Sequence, residues 1–322
     1  MLIVGSDDGL YRVTGIDGPG PVDVTKERDA GRAWRVRTFN GLPGAFAATD
    51  TGLYHSTDGR AWTDLDVPQE RVYAVGGSPD GTLYAGTRPA HVYAASLDDE
   101  GLSDGRLDWR ELDGFQELPS RSEWRLPRHE EIAQVRDLHV HPAAPDRVVA
   151  GVEVGGVHVS RDSGETWTER RDGVDDDVHE LHFVGPEEFV AATGHGLFRS
   201  TDAGRSWTHL DGGYDQQYFR AVASHDGVIY AAGALANSST WNDADADPAL
   251  FACRDGESLD PVDHPRPDET VTGLTVVEGV VVAGTHRGTL LVGGDDGWSV
   301  AGSVPVPGEV TGRYTPLTWL NR

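Results

Sequence analysis

Three cationic side chains stand at the same place in three successive apolar segments. Arg136, His179 and Arg220 each follow the first apolar residue of a short run with strand character. In three further runs this position holds Tyr73, Thr272 and Thr311. If the runs are copies of one structural unit, the three cations meet and can bind an anionic or polyhydroxyl ligand through charge-assisted hydrogen bonds. The alternative is that they cluster by chance or form internal salt bridges with Asp137 and Glu180.

A second set of polar residues falls where the second strand of each unit turns into the third. Its members are Asp7, Asp50, Arg88, Glu153 and His286. Glu153 belongs to the unit of Arg136 and is next to that of His179, so nearby cations would hold its carboxylate ionised. Such a carboxylate can orient a hydroxyl group or act as a base, which makes Glu153 the candidate catalytic residue. A structural counter-ion is the alternative.

Two insertions interrupt the repeated pattern and are predicted to lie over the same place. Residues 117–131 carry Trp124 among Arg121, Arg125, Arg128 and His129, and residues 235–248 carry Trp241 with Asn237 and Asn242. Long loops in compact domains are often binding loops, and arginine with tryptophan suits an anion or a sugar ring. Solvated surface loops are the alternative. The predicted ligand-binding residues are Arg136, His179, Arg220, Glu153, Arg88, His286, Trp124 and Trp241.

The elements that must position these residues repeat along the chain. Residues 149–167 recur as 190–207, with a degenerate copy at 47–62. Each copy holds an alternating apolar run, a glycine turn, a second run ending in serine, a tight turn and a tryptophan, which indicates three strands joined by turns. Seven such units predict one all-β domain, a seven-bladed β-propeller. The predicted blades are about 1–38 plus 309–320, 39–66, 71–113, 135–170, 178–210, 218–263 and 270–304.

The two ends of the chain are predicted to close the ring. The first unit begins with what is the second strand elsewhere, and residues 309–315 echo residues 269–275, which form an innermost strand. We therefore expect Val310 to Thr315 to pair with Met1 to Gly5, because closure removes the exposed edges of an open array. Trp34 either ends a worn repeat turn or begins the second blade.

The tight turn has the form Ser-x-Asp-x-Gly-x-x-Trp. It occurs as Ser160, Asp162, Gly164 and Trp167, again as Ser200, Asp202, Gly204 and Trp207, and one residue shorter as Ser56, Asp58, Gly59 and Trp62. This turn resembles the Asp-box (BNR) repeat of sialidases, sortilin-type receptors and photosystem II assembly-factor propellers. The resemblance implies a propeller, and it implies that the box aspartates are structural and lie away from the ligand site.

The same resemblance supplies two classes of function. Sialidases use an arginine triad, an acidic residue and a Tyr/Glu couple, but they have six blades and an Arg-Ile-Pro signature near the start. In this chain the nearest match is Arg125-Leu126-Pro127, between the third and fourth blades. Xyloglucanase-type glycosidases and the assembly factors are nearer in blade count. We favour a propeller that binds an anionic or carbohydrate ligand or a protein. The alternative is a sialidase-like or xyloglucanase-like hydrolase that uses Glu153 with Arg136, His179 and Arg220.

Composition indicates which solvent conditions, partners and cellular compartment to expect for the protein. With 27 Lys plus Arg against 53 Asp plus Glu, the formal charge is −26, and Lys26 is the only lysine. This resembles proteins of extreme halophiles, where carboxylates maintain solubility in molar salt, and it argues against nucleic acid as a partner. The single cysteine, Cys253, excludes an internal disulfide. With no apolar stretch of membrane length and no leader pattern at the start, we expect a cytoplasmic protein without membrane insertion.

No cofactor or metal ion is predicted from the sequence. Asp243, Asp245 and Asp247 alternate like the start of a calcium loop. Pro248 stands where such a loop needs glycine, and no glutamate occupies its twelfth position, so the calcium-loop pattern fails.

Overall fold

Seven four-stranded antiparallel sheets form a closed ring, which confirms the seven-bladed propeller. The structure is a computed structural model that describes residues 1–18, 20–97, 99–127, 130–294, 297–308 and 314–321. Each innermost strand packs against the innermost strands of the blades on either side, all the way around the ring. Of the helices described, none is long and apolar enough to cross a lipid bilayer.

Every blade is built from four strands, named from the innermost outward. The first blade is β28 (Leu317–Trp319), β1 (Leu2–Gly5), β2 (Gly9–Thr14) and β3 (Asp23–Asp29). The second is β4 (Ala33–Thr38), β5 (Ala45–Thr49), β6 (Gly52–Ser56) and β7 (Thr63–Asp64). The third is β8 (Val72–Gly77), β9 (Thr82–Thr87), β10 (Val92–Ser96) and β11 (Arg110–Glu111). The fourth is β12 (Gln134–His141), β13 (Ala144–Glu153), β14 (Gly156–Ser160) and β15 (Thr168–Glu169).

The last three blades follow the same order. The fifth is β16 (Val178–Phe183), β17 (Phe189–Thr193), β18 (Gly196–Ser200) and β19 (Thr208–His209). The sixth is β20 (Tyr218–His225), β21 (Val228–Ala234), β22 (Ala249–Cys253) and β23 (Asp260–Val262). The seventh is β24 (Val271–Val277), β25 (Val280–Thr285), β26 (Thr289–Gly294) and β27 (Gly297–Ser303). Two short helices, α1 (Asp99–Asp104) and α2 (Asp113–Gln116), and a 3₁₀ turn at Pro119–Glu123 lie in the third blade and the segment that follows it.

Apolar residues of adjacent blades share one core. Between the fourth and fifth blades, for example, Val149 and Val157 pack with Leu181 and Phe189, all of them fully buried. Each blade is therefore buried on both faces in its inner strands, which explains why those strands are almost continuously apolar. The ring is held by these interfaces, since a single blade has no second layer to cover it.

The serine and aspartate of the Ser-x-Asp-x-Gly-x-x-Trp turns have a common hydrogen-bond pattern, whereas the tryptophan contacts differ, since the Trp207 indole donates to the Arg170 carbonyl. The turn of the fourth blade is an example. The Oγ of Ser160 donates to Asp162 at 2.7 Å and accepts the N–H of Gly164 at 2.8 Å. Asp162 accepts the N–H of Thr166 at 2.9 Å, and the Trp167 indole donates to the Gly164 carbonyl at 2.9 Å. Gly164 has a φ of 94°, a left-handed conformation that favours glycine. The aspartates of these turns therefore stabilise the turn by accepting its backbone N–H groups.

A fourth turn of this kind was missed in the sequence. Asp255 accepts the N–H groups of Glu257 and Ser258 at 2.8 and 2.9 Å, between β22 and β23. In this turn Cys253 replaces the usual serine and Leu259 the usual tryptophan, so only the Asp-Gly pair remains as a signal. The buried thiol of Cys253 therefore belongs to a turn.

Ring closure occurs in the first blade, as predicted, but through a different segment. Leu317, Thr318 and Trp319 pair with Val4, Ile3 and Leu2, so the predicted pairing through residues 310–315 is wrong. The Val-Thr-Gly echo at 310–312 is three residues long, too short to set a register, and Val310 and Thr311 lie outside the described residues. In addition, the predicted first blade ran to residue 38, whereas Ala33–Thr38 is the innermost strand of the second blade.

The net charge of −26 leads to a prediction about salt. Repulsion between carboxylates extends to about 30 Å at 0.01 M salt but only about 3 Å at 1 M, so dilute buffer should destabilise the ring. We expect the melting temperature to rise steadily from dilute to molar KCl, measured by circular dichroism. A melting temperature that is the same at both ends of this range would refute the halophilic interpretation.

Candidate functional site

Six of the innermost strands have a β-bulge at the same place near their start. In β4, β8, β12, β16, β20 and β24 the register skips one residue directly after the first or second position. The skipped residues are Trp34, Tyr73, Arg136, His179, Arg220 and Thr272. Bulges commonly redirect side chains at functional sites. The column of cations recognised in the sequence is therefore a column of bulged residues, with Trp34 as a member that the sequence left undecided.

Two of these arginines meet aromatic rings from other blades. The guanidinium carbon of Arg136 lies 4.7 Å from the centre of the Trp34 ring, 5.2 Å from Tyr314 and 5.7 Å from Tyr73. That of Arg220 lies 4.3 Å from Tyr314, and Trp34 stacks on Tyr73 at 4.3 Å. We call Trp34, Tyr73, Arg136, Arg220 and Tyr314 the arginine–aromatic cluster. Contacts of this kind are worth about 2 kcal/mol or more each when desolvated.

Charge inside the cluster is only partly balanced. Arg136 is 2% exposed, and burial together with the nearby Arg220 lowers its pKa. Among the described residues, its Nη1 has no hydrogen-bond partner. Burial also opposes the charge of Arg220, but Tyr314, Tyr218 and Glu153 outweigh burial and raise its pKa. The pKa values of the two arginines are shifted in opposite directions because Arg220 has more oxygen atoms around it that favour its charged form.

Tyr314 is the residue on which the arginines converge. Burial by itself would raise the pKa of its phenol, but Arg220, Arg136 and Arg32 together lower that pKa below its ordinary value. Arg32 lies 5.7 Å from the Tyr314 ring and 4.9 Å from that of Trp34, and it is half-buried. Arg32 therefore extends the cluster toward solvent.

Glu153 sits beside the cluster at the end of β13. Its Oε2 accepts a hydrogen bond from Gln134 at 2.7 Å and lies 3.3 Å from the Nε of Arg136. Burial acts to raise the pKa of Glu153, yet Arg136 lowers it overall, so the carboxylate is ionised. The contacts are those expected for a counter-ion of Arg136.

His179 faces carboxylates rather than solvent. Its Nδ1 donates to the carbonyl of Phe219 at 2.7 Å, and its Nε2 lies 3.5 Å from an oxygen of Asp177. Burial and Arg220 lower the pKa of His179, so the ring is neutral, not cationic as the sequence suggested. One side-chain atom each of Glu153, Asp177 and His179 lies within 4.8 Å of the other two.

The remaining predicted site residues divide into two groups. Arg88 is half-buried and hydrogen-bonded to Tyr73, so it borders the cluster. Trp241 lies 6.3 Å from Tyr314 and 5.6 Å from His286, which brings the 235–248 loop and His286 to the same end of the ring. His286 is buried, and its Nδ1 accepts the N–H of Thr270 at 3.0 Å.

Trp124 is not part of this site. It is 4% exposed and packs against Phe115 and His158, and its indole donates to Ser120 at 3.0 Å. The 117–131 insertion uses this tryptophan to fill the core between the third and fourth blades. Two further residues named for this insertion, Arg128 and His129, lie outside the described residues.

Four residues of the site were missed in the sequence: Arg32, Trp34, Tyr314 and Asp177. Arg32 and Trp34 lie at the start of the second blade, where the worn repeat gave no alignment. Tyr314 was missed through the incorrect register of the closing strand. Asp177 directly precedes β16, and its place in the run Asp175-Asp176-Asp177 was the available signal.

A cavity of about 350 Å³ occupies the channel beyond the cluster. Its polar lining includes Arg35, Arg37, His139, Glu180 and His182. The fully buried Asp137 lies against the first three of these residues.

Asp137 joins three blades. It lies 2.8 Å from the Nη2 of Arg37 and 3.4 Å from the Nε of Arg35, both on β4, and it accepts the N–H of Leu181 on β16 at 2.8 Å. Arg35 also donates to the carbonyl of His179. The sequence offered Asp137 as a salt-bridge partner for Arg136, His179 or Arg220, but the structure pairs it with Arg35 and Arg37 instead.

Comparison with solved structures agrees with the fold. An ancestral GH74 enzyme is 17% identical, with a TM-score of 0.58 over 89% of this chain and 38% of its own. The GH74 xyloglucanase from Xanthomonas campestris is 18% identical, with a TM-score of 0.59 over 90% and 46%. The WD40 β-propeller domain of Doa1 is 14% identical, with a TM-score of 0.58 over 85% and 83%.

These similarities concern architecture alone, because every identity is below one fifth. The chain spans less than half the length of the two GH74 structures. No protein-family model and no curated protein matches the sequence. The structures similar to this chain therefore include both glycoside hydrolases and a WD40 propeller domain.

Proposed function

We propose that the protein is a binding propeller that holds a small carboxylate, such as a sugar acid, at the arginine–aromatic cluster. The observation that carries this proposal is the buried guanidinium of Arg136, whose Nη1 has no hydrogen-bond partner among the described residues. A buried donor left unsatisfied costs about 1 to 3 kcal/mol, more when charged, and a ligand oxygen would remove that cost.

The charge balance also favours an anion. Among the described residues, Arg136 and Arg220 lie in the cluster, Arg32 and Arg88 border it, and the carboxylates that interact with it are Asp50, Glu153 and Asp177. Four guanidinium groups against three carboxylates leave one positive charge, in a chain of net charge −26. The rings of Trp34 and Tyr314 add flat apolar surface of the kind on which sugars stack.

The test compares D-glucuronate with neutral D-glucose by calorimetric titration in molar KCl. We expect wild type to bind glucuronate more tightly than glucose, and Arg32→Ala to weaken glucuronate binding about 10- to 150-fold, the equivalent of a lost charged hydrogen bond of about 1.5 to 3 kcal/mol. Arg32 is chosen because it is half-buried, whereas loss of Arg136 and Arg220 would leave Glu153 and Asp177 buried without counter-ions.

Arg60→Ala is the matched control, since it removes the same charge from an exposed position of a box turn. It should bind glucuronate like wild type. Equal affinity for glucose and glucuronate, or an Arg32→Ala variant that binds like wild type, would contradict the proposal.

Glycoside hydrolysis is the second candidate, and one observation favours it. Tyr314 has a lowered pKa and interacts electrostatically with Glu153, which suits a tyrosine nucleophile. Against it, an acid catalyst needs a raised pKa, and that of Glu153 is lowered. Release of 4-methylumbelliferone from its α-sialoside, abolished in Tyr314→Phe, would establish the hydrolase. No release by wild type above a heat-denatured control would exclude that activity.

A further inference from the structure

We propose that Glu153, Asp177 and His179 bind a divalent transition-metal ion of the Zn²⁺ type at the rim of the channel. The sequence predicted no metal site. This inference goes beyond the proposed carboxylate binding and does not depend on it, since it uses a different set of atoms.

The first argument is the state of His179. Its Nδ1–H is committed to the carbonyl of Phe219 at 2.7 Å, so Nε2 is the ring nitrogen that remains to bind a metal ion. This atom is fully buried and has no hydrogen-bond partner among the described residues. It faces a carboxylate oxygen of Asp177 at 3.5 Å. An ion placed between these two atoms would be bound by both of them.

The second argument is distance. Zn²⁺ binds imidazole nitrogen and carboxylate oxygen at about 2.0 to 2.2 Å, so two ligands of a tetrahedral ion are about 3.4 Å apart. The separation of 3.5 Å between His179 and Asp177 matches this value. The third ligand atom, on Glu153, lies within 4.8 Å of the other two, and a side-chain shift of up to about 1.4 Å would bring it to the tetrahedral ligand distance.

The third argument is the support behind the ligands. A metal-binding histidine usually donates its other ring N–H to a carbonyl or carboxylate, and a metal-binding carboxylate is itself hydrogen-bonded. His179 has the Phe219 carbonyl in that role, and Glu153 has the amide of Gln134 at 2.7 Å. The main chains of Glu153 and Asp177 also form a β-bridge, which fixes the two carboxylates relative to each other.

Local charge both opposes and favours a cation. Arg136 and Arg220 repel it, and the adjacent carboxylates of Asp175 and Asp176 attract it from the rim. The side chain of Asp175 is 21% exposed, against 11% for that of Asp177, so Asp175 lies on the solvent side of the site. Imidazole favours Zn²⁺, Co²⁺ and similar ions over Ca²⁺, which takes oxygen ligands.

The experiment titrates Zn²⁺ and Co²⁺ into the full chain, freed of metal by a chelator, with no carboxylate buffer present. We expect one ion per chain, a visible absorption band from bound Co²⁺, and displacement of Co²⁺ by Zn²⁺ but not by equimolar Ca²⁺. His179→Gln should weaken binding at least 100-fold, and Gln134→Ala about 10-fold, as expected for a residue that supports a ligand.

The control is His195→Gln, which removes an imidazole that is 77% exposed and lies 3.3 Å from Asp175 at the same rim. It should keep the wild-type affinity. Asp177→Asn provides a second ligand variant if His179→Gln does not fold. The proposal is overturned if wild type shows no stoichiometric site, if Ca²⁺ competes equally, or if His195→Gln loses the ion while His179→Gln retains it. Because no carboxylate ligand is present, failure of metal binding leaves the glucuronate result unaffected, and failure of glucuronate binding leaves the metal result unaffected.

Discussion

A chain that ends at residue 313 is expected to lose most of its free energy of unfolding. The deletion removes β28, the innermost strand of the first blade, which pairs with β1 and packs against β4 and β24. It exposes the hydrogen-bonding edge of β1 and the apolar core that Leu317 completes with Leu2 and Val4. The deletion also removes the contacts of β28 with the innermost strands of the second and seventh blades, so the loss is not confined to one sheet.

The measurement is unfolding by guanidinium chloride in molar salt, followed by tryptophan fluorescence. Leu317→Ala provides a graded version, because Leu317 is 6% exposed and a buried leucine replaced by alanine costs about 2 to 5 kcal/mol. A chain that ends at Leu320 is the control: it keeps β28 and the hydrogen bond from the N-terminus to the Leu320 carbonyl at 2.9 Å, and should unfold like wild type. Equal midpoints for the chain ending at 313 and for wild type would show that the ring does not need its closing strand.

Much of the fold could be predicted because the repeated turns require particular residue types at fixed positions. Four blades share a turn that needs a glycine in the left-handed conformation and an aspartate that accepts turn N–H groups, and Gly164 with Asp162 are recognisable at a fixed spacing. The closing strand has no such turn, so only a short apolar match was available, and the register slipped. The turn at Asp255 was missed for a similar reason: its aspartate still accepts the turn N–H groups, but the serine and tryptophan that mark the motif are absent.

The site was predictable where side-chain position follows from the strand alone. Arg136, His179 and Arg220 were found because all three occupy the bulge of their strands. The sequence does not reveal which way a loop side chain points or which residues it contacts. Trp124, for example, points into the core, where it packs against Phe115 and His158. The neutral state of His179 likewise depends on the carbonyl of Phe219, 40 positions further along the chain.

The second large effect is expected for Asp137→Asn, which should lower the free energy of unfolding by about 3 to 5 kcal/mol at neutral pH. Asp137 is fully buried, and its charge is balanced by Arg35 and Arg37. Asparagine keeps the shape and can still accept the N–H of Leu181, but it leaves the buried guanidinium of Arg35 and the partly buried one of Arg37 without this counter-ion. Glu165→Gln is the control: it breaks an ion pair with Arg110 whose side chains are 60% and 57% exposed, and should cause no measurable change.

The pH dependence of this effect separates lost charge from lost packing. Burial by itself would raise the pKa of Asp137, but Arg35 and Arg37 outweigh burial and hold the pKa well below its usual value. A carboxyl group with a depressed pKa in the folded state contributes its full stability above the unfolded pKa of about 3.9, and loses it as the pH falls toward the folded pKa. The difference between wild type and Asp137→Asn should therefore be constant from pH 7 to pH 5 and should shrink below about pH 4, in denaturation curves recorded at constant molar KCl. Carboxylates distant from Asp137 are common to both chains and cancel from the difference, whereas Glu180 and His139, whose pKa values Asp137 raises, add a smaller term of their own. If the difference were unchanged at pH 3, Asp137 would act through its shape, and the ion pairs with Arg35 and Arg37 would contribute nothing to the stability of the ring.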